Sequence, residues 1–168
     1  MAEWVIERLN RSHDRESFCS GQEVLDRFLK TLVTQYEKKR LGRTFVATAA
    51  GANKVFGFYT SAAGSFALDA LPEVARKALP KHPIPTVHLG RLAVDLTCQG
   101  QGLGEALLFH FLHEALAVAQ TLGVFAVDVW AMHDQARPFY LKYGFIPLED
   151  APLHLYLPLK TVEKMFDR

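Results

Sequence analysis

Between Val87 and Leu122 the chain passes from a strand-forming run, Val87–Val94, through Gln99-Gly100-Gln101-Gly102-Leu103-Gly104, into a long helical pattern, Glu105–Leu122, closed by Gly123. A second strand-forming run, Val124–Ala131, follows at once. Few architectures satisfy strand, glycine turn, helix and strand in that order. The natural one is a crossover unit that sets its two strands parallel in one sheet. Glycines let the turn bend sharply and let a ligand approach the backbone. The helix start behind them aims unpaired N–H groups and partial positive charge at one spot. Together these features make an anion site suited to a pyrophosphate.

The rest of the chain extends that unit into an α/β (α+β) fold. Trp4–Leu9 reads as a strand. Gln22–Leu32 and Val33–Arg40 read as helices, with Val24, Leu25, Phe28, Leu29, Leu32 and Val33 near a 3.6-residue period. Ser20 and Glu23 have capping-box spacing. Thr44–Ala49 and Val55–Ser61 form a hairpin pattern around Gly51-Ala52-Asn53. Leu71–Leu79 is a short helix, and Pro80, Pro83 and Pro85 enforce an irregular stretch after it. Asp134–Tyr143 is helical and stopped by Gly144. Phe145–Pro147 and His154–Pro158 are strands, and Thr161–Phe166 is a final helical turn.

The turn matches neither the loop that binds a nucleoside triphosphate nor the dinucleotide fingerprint. A Walker loop needs Lys and Ser/Thr after its last glycine, and Glu105-Ala106 stand there. The dinucleotide fingerprint spaces its glycines G-x-G-x-x-G, whereas these fall as G-x-G-x-G.

Composition narrows the class further. The 168 residues, 49% hydrophobic and 22% charged, suit one globular domain. Lys and Arg number 19 against 18 Asp and Glu, so the net charge of +1 favours no polyanion by itself. No apolar run reaches the ~18–20 residues of a membrane span, and the N-terminus has no signal-peptide pattern. Cys19 and Cys98 form no C-x-x-C, and no cluster has metal-ligand spacing. The expectation is a reduced, cytoplasmic protein without a metal.

Gln99-x-x-Gly102-x-Gly104, the preceding His88-Leu89-Gly90-Arg91-Leu92-Ala93-Val94, and the later Ala136-x-x-Phe139-Tyr140-x-x-x-Gly144-Phe145 together resemble the GNAT superfamily of N-acetyltransferases. That resemblance implies the GNAT fold, a mixed central sheet flanked by helices, as a single domain over residues 1–168. It also implies acetyl-CoA as co-substrate. Leu92, Ala93 and Val94 would lie along the pantetheine arm, with backbone pairing at Leu92 and Val94. Gln99, Gly100, Gln101, Gly102, Leu103 and Gly104 would take the pyrophosphate, and His133 and Phe139 would also line the cofactor site. At His133 the family more often carries Asp or Asn. Tyr140 falls at the family's general-acid position. A phenol of pKa ~10 is protonated at neutral pH and can donate to a departing thiolate.

A narrower resemblance runs along nearly the whole chain. Phe18-Cys19-Ser20-Gly21, Leu25-Asp26-Arg27-Phe28-Leu29, Gly42-Arg43-Thr44-Phe45-Val46-Ala47, Pro83-Ile84-Pro85 and Gly90–Asp95 are similar to the GNAT-type toxins of bacterial toxin–antitoxin modules. The implied activity is acetylation of the α-amino group of aminoacyl-tRNA, which blocks translation. The implied partners are a ribbon–helix–helix antitoxin and a second copy of the chain. Lys38, Lys39, Arg40 and Arg43 form a basic stretch that could meet phosphate, and Arg91 on the cofactor strand could meet substrate phosphate or pair with a core carboxylate. Asp95, Glu105, Asp128, His88 and His133 are candidate bases. An α-amine of pKa ~7.7–8.0 is partly neutral without one. Two other readings fit the same residues: a housekeeping GNAT acting on a small amine or a protein N-terminus, and a silent acyl-CoA-binding module.

Overall fold

Successive side chains of a strand point to opposite faces, and over Gly57–Thr60, the first four residues of β3 (Gly57–Phe66), both faces are buried. β3 pairs antiparallel with β2 (Arg43–Ala49), setting Phe58 opposite Val46 and Tyr59 opposite Phe45. β2 pairs antiparallel with β1 (Trp4–Arg8). The computed structural model, which describes residues 3–167, arranges seven strands in the order β1-β2-β3-β4-β5-β7-β6. The others are β4 (Ile84–Val94), β5 (Ala126–Trp130), β6 (Ile146–Pro147) and β7 (His154–Pro158). β4 and β5 are parallel, His88 opposite Asp128. β7 is antiparallel to both β5 and β6. The sheet is therefore mixed, and α4 (Leu103–Val118) is the crossover between its parallel strands.

The chain groups into two compact units, Met1–Ala62 with Gly90–Phe111 and Ala63–Leu89 with Leu112–Arg168. In the first, α1 (Glu23–Arg27), a π-helical turn (Phe28–Leu32) and α2 (Val33–Lys38) bury Leu25, Phe28, Leu29 and Val33 against Val46, Phe58 and Ala93. Tyr59, one residue on from Phe58, turns the other way. It stacks on Phe45 at 5.2 Å, meets Phe111 edge-on at 5.7 Å and holds His110 Nδ1 at 2.7 Å. In the second unit Phe66, Leu71, Ile84, Ala126, Leu148 and Tyr156 form a separate core. That unit also contains α3 (Glu73–Arg76), α5 (Arg137–Lys142) and α6 (Leu159–Phe166).

Several boundaries differ from the sequence reading, each for a local reason. The first two helices run on through the π turn, where the Leu29 carbonyl accepts from Arg15 Nη1 at 3.0 Å. Ser20 does not form a capping box with Glu23. Its hydroxyl donates to Asp26 Oδ1 at 2.6 Å, and Gln22 takes the N-cap without a side-chain bond. β4 begins at Ile84 and includes Pro85, which is exposed and whose carbonyl accepts from Phe125 N. α4 starts at Leu103 and ends at Val118, with tighter turns carrying the chain on to Gly123. α5 is shorter than expected because Ala136 is its N-cap.

Candidate active site

The glycine turn is shaped by its own backbone and by one glutamine. Gly100 and Gly102 both adopt the left-handed region, at φ 79° and 85°, and a Cβ at either would meet nothing within 4 Å. The first helical bond of α4 runs from Ala106 N to Gly102 O. The amides of Leu103 and Gly104 thus lie ahead of the ladder, where a helix favours an anion. Gln99 braces the turn: its Nε2 donates to Val94 O at 2.9 Å and to Ser20 O at 3.1 Å. Gln101 Nε2 donates to Thr97 O at 3.3 Å. These side chains shape the cradle, while the open glycine positions and helix amides form its surface. Leu103 is buried, as is Ala93, so backbone is what either can offer a ligand. A pyrophosphate fits this cradle, because the open Cβ positions leave room and the amides supply donors.

Asp95 closes the strand leading into the turn. It is buried and accepts from Cys19 N at 3.0 Å, Thr97 N at 3.0 Å and Thr97 Oγ1 at 2.7 Å. Burial alone would raise its pKa, but these donors hold it below the ordinary carboxylate value. A carboxylate so engaged fixes the loop and is a poor proton acceptor.

Among the described residues Arg91 packs against aromatic rings rather than a carboxylate. Its guanidinium sits 3.7 Å above the centroid of Phe28 and 5.1 Å from that of Tyr36, a cation–π arrangement at the π turn. Arg43 is bound to Glu37, donating to its carboxylate and its carbonyl at 3.1 Å each. Lys38, Lys39 and Arg40 are exposed. Arg40 stands at φ 59°, and Leu41 N reaches back to Tyr36 O at 2.9 Å, the closing bond of a Schellman cap. The three cations therefore sit where the helix C-terminus already favours positive charge.

The second unit holds the remaining candidates. Tyr140 on α5 is buried beside Phe139 and Phe145, with ring centroids 5.1 and 5.5 Å away. Burial pushes its phenol above the ordinary value, so the proton stays on oxygen. His133 Nδ1 accepts from Ala136 N at 3.2 Å and so braces the start of α5. Asp128, a carboxylate in the middle of β5, accepts from Thr86 Oγ1 at 2.8 Å and faces His88 Nδ1 at 3.2 Å and His154 Nε2 at 2.8 Å. His154 in turn presents Nδ1 to Asp150 Oδ2 at 2.9 Å. Desolvation opposes the charge on Asp128, but its histidine and threonine partners outweigh it and hold the pKa at about 2. Desolvation likewise disfavours charge on His154, yet Asp128 and Asp150 raise its pKa.

His154 and Asp150 are absent from the sequence-derived candidates. The available signal was weak: an aspartate amid the apolar run Phe125–Trp130, and a histidine heading the apolar strand His154–Pro158. Among the described residues no group of three or more His, Cys, Asp and Glu could hold a metal ion; His88, Asp128, His154 and Asp150 are linked by hydrogen bonds. No helix among those residues is long and apolar enough to cross a membrane.

Comparison with known proteins identifies the family. The acetyltransferase (GNAT) domain family matches residues 16–153. The chain is 37% identical over 158 residues to the tRNA-acetylating toxin of Mycobacterium tuberculosis (strain ATCC 25618 / H37Rv), covering 94% of this chain and 93% of that protein. Its structure is similar to that of AtaT complexed with acetyl-methionyl-tRNAfMet, at a TM-score of 0.91 and 31% identity, over 98% of this chain and 99% of the other. It is also similar to a tyrosine-to-phenylalanine mutant of AtaT bound to the C-terminus of the antitoxin AtaR and acetyl-CoA, at a TM-score of 0.84 and 29% identity, over 99% of both chains. With the glycine cradle, the mixed sheet and the match over residues 16–153 in agreement, the chain belongs to the GNAT family of acetyltransferases.

Proposed function

We propose that this chain is a toxin that transfers acetyl from acetyl-CoA to the α-amino group of aminoacyl-tRNA and so stops translation. The observation that carries the reading is likeness over nearly the full length to a protein named for acetylating tRNA. The AtaT complex with an acetylated aminoacyl-tRNA supports it. We read residues 1–168 as one catalytic domain acting in the cytoplasm.

Acetyl-CoA supplies an acyl group already activated as a thioester. In our reading the cradle at Gln99–Gly104 takes its pyrophosphate, and Leu92, Ala93 and Val94 run along the pantetheine arm. His133 and Phe139 line the same arm. A backbone N–H near Val94 polarises the acyl carbonyl in the manner of an oxyanion hole. Tyr140, kept protonated by burial, donates to the departing sulfur. Lys38, Lys39 and Arg40 contact tRNA phosphates, and Arg43 supports them through Glu37. Arg91, held over the Phe28 ring, contributes a further positive charge to the tRNA-facing set.

The antitoxin in the AtaT complex supports a protein partner that silences the chain. We place that partner in the ribbon–helix–helix class and the active form as a homodimer. The test is to incubate the protein with acetyl-CoA and charged tRNA, digest with ribonuclease and weigh the 3′-terminal aminoacyl-adenosine. The expected product carries one added acetyl group on the amino acid. An unmodified aminoacyl-adenosine, with acetyl-CoA bound, would overturn the reading.

A further inference from the structure

Glu37 on α2 gathers guanidinium groups around a single carboxylate. Its Oε2 accepts from Arg8 Nη2 at 3.2 Å and from Arg43 Nη1 at 3.1 Å, and its Oε1 accepts from Thr44 N at 2.8 Å. Both oxygens are therefore engaged. Beside it lies a cavity of about 190 Å³ lined by Leu9, Asn10, Arg11, Arg15, Thr34 and Glu37. All six belong to the first compact unit.

The side chains of this lining carry donors to spare, while their carboxylate and amide acceptors are spent. Asn10 Oδ1 accepts from Ser12 N at 2.8 Å and from Ser12 Oγ at 2.5 Å, and the Asn10 amide nitrogen has no acceptor among the described residues. Arg15 Nη1 donates to Leu29 O at 3.0 Å in the π turn, which anchors the guanidinium and leaves its other N–H groups unused among those residues. Arg11 is exposed in the turn closed by His13 N on Asn10 O, and among the described residues it meets no carboxylate. A nucleobase binds best on an aromatic platform, and the lining has none. A small anion with several acceptor oxygens matches the surplus of donors and of positive charge.

We propose that this pocket holds one backbone phosphate of the RNA substrate, with Arg11 and Arg15 as its charged contacts and the Asn10 amide as a neutral donor. The proposal rests on the aminoacyl-tRNA reading for the identity of that RNA. Arg15 is the anchored half of the pair, and Arg11, carried on a surface turn, is the adjustable half. Arg8 and Arg43, held by Glu37, add their charge to the potential nearby. Continuity favours a nucleic acid over a lone carboxylate of a protein segment. Thr34 in the pocket and Lys38 stand four residues apart on one face of α2, a rise of about 6 Å. The pocket thus runs into the basic stretch Lys38, Lys39 and Arg40 and extends it to the loop after β1, as a chain of repeated phosphates requires.

The experiment has two arms. In the first, the protein is saturated with coenzyme A and titrated with inorganic phosphate, and nitrogen NMR follows the side-chain N–H signals. Saturable shifts are expected at Asn10, Arg11 and Arg15, and their loss in Arg11→Ala. No shift at these groups would overturn the proposal whatever the acceptor. Equal shifts with acetate would assign the pocket to a carboxylate of a protein partner and likewise overturn it. In the second arm, affinity for deacylated tRNA is measured against salt. Arg11→Ala should weaken binding about tenfold at low salt and lower the slope of log affinity against log salt by about 0.7 to 0.9, the share of one phosphate. Arg11→Glu should weaken it further, and Arg11→Lys should restore the slope with only part of the affinity. Thermal midpoints equal to wild type would show that the turn still folds. Unchanged affinity and slope in Arg11→Glu would overturn the proposal while leaving acetylation of tRNA intact. A wild type that takes phosphate in the first arm and no tRNA in the second would count against the tRNA reading, and with it against RNA as the occupant.

Discussion

His154 Nε2 lies 2.8 Å from Asp128 Oδ2, with both side chains 4% exposed. An ion pair this buried is costly to break from one side, because the survivor is left uncompensated; Asp128→Ala should cost about 3–5 kcal/mol. A chemical unfolding series with constant slope would measure that loss.

The same pair sets the pH limits of stability. Asp128 has a lowered pKa of about 2, so its contribution is present above the unfolded carboxylate value of ~3.9 and drains away as pH falls toward 2. His154 has a raised pKa, so its contribution is complete below the unfolded value of ~6.5 and is lost as pH rises through the folded one. Thermal midpoints should therefore fall on both flanks, and His154→Gln should flatten the alkaline flank. An alkaline flank unchanged in that variant would contradict the assignment.

Tyr140→Phe keeps the ring packing against Phe139 and Phe145 and deletes only the proton donor. Loss of a general acid should lower kcat by about 10²-fold or more, with acetyl-CoA affinity unchanged by calorimetry. Because burial raises its phenol, Tyr140 should add no alkaline limb to the rate profile below pH ~10.

Gly102→Ala introduces a Cβ at φ 85°, where an L side chain is strained by about 1 kcal/mol. It also fills space the structure leaves open for a ligand. Acetyl-CoA affinity should fall well beyond what that strain explains, as titration calorimetry would show. Equal losses in stability and affinity would mean that the cradle does not contact the cofactor.

Replacing Lys38, Lys39 and Arg40 together with alanine should raise KM for charged tRNA and flatten its salt dependence, leaving acetyl-CoA binding unaltered. Arg43→Ala should instead lower the thermal midpoint, since Arg43 anchors Glu37, which also accepts from Thr44 N at 2.8 Å.

Much of this was legible in the sequence where chemistry is local. The turn at Gln99–Gly104 announces itself because strand, glycines and helix are contiguous, and the β4–α4–β5 crossover follows from chirality. Tyr140 lies within a compact signature on α5. What the sequence conceals depends on packing between distant segments. Phe28, Leu29, Leu32 and Val33 fit an α-helical stripe as well as a π turn, and the turn becomes visible through Arg15 meeting the Leu29 carbonyl. Ser20 carries a cap signal, yet Asp26 captures its hydroxyl. The array at Asp128 exists only because β5 and β7 pair with Asp128 opposite Tyr156 and Trp130 opposite His154, a register that no short motif records.

Transfer of radiolabelled acetyl from acetyl-CoA to total aminoacylated tRNA, beside deacylated tRNA and the Tyr140→Phe variant, decides whether charged tRNA is the acceptor. Label is expected on charged tRNA alone, largely lost in the variant. Label on no tRNA, or equally on deacylated tRNA, would contradict it.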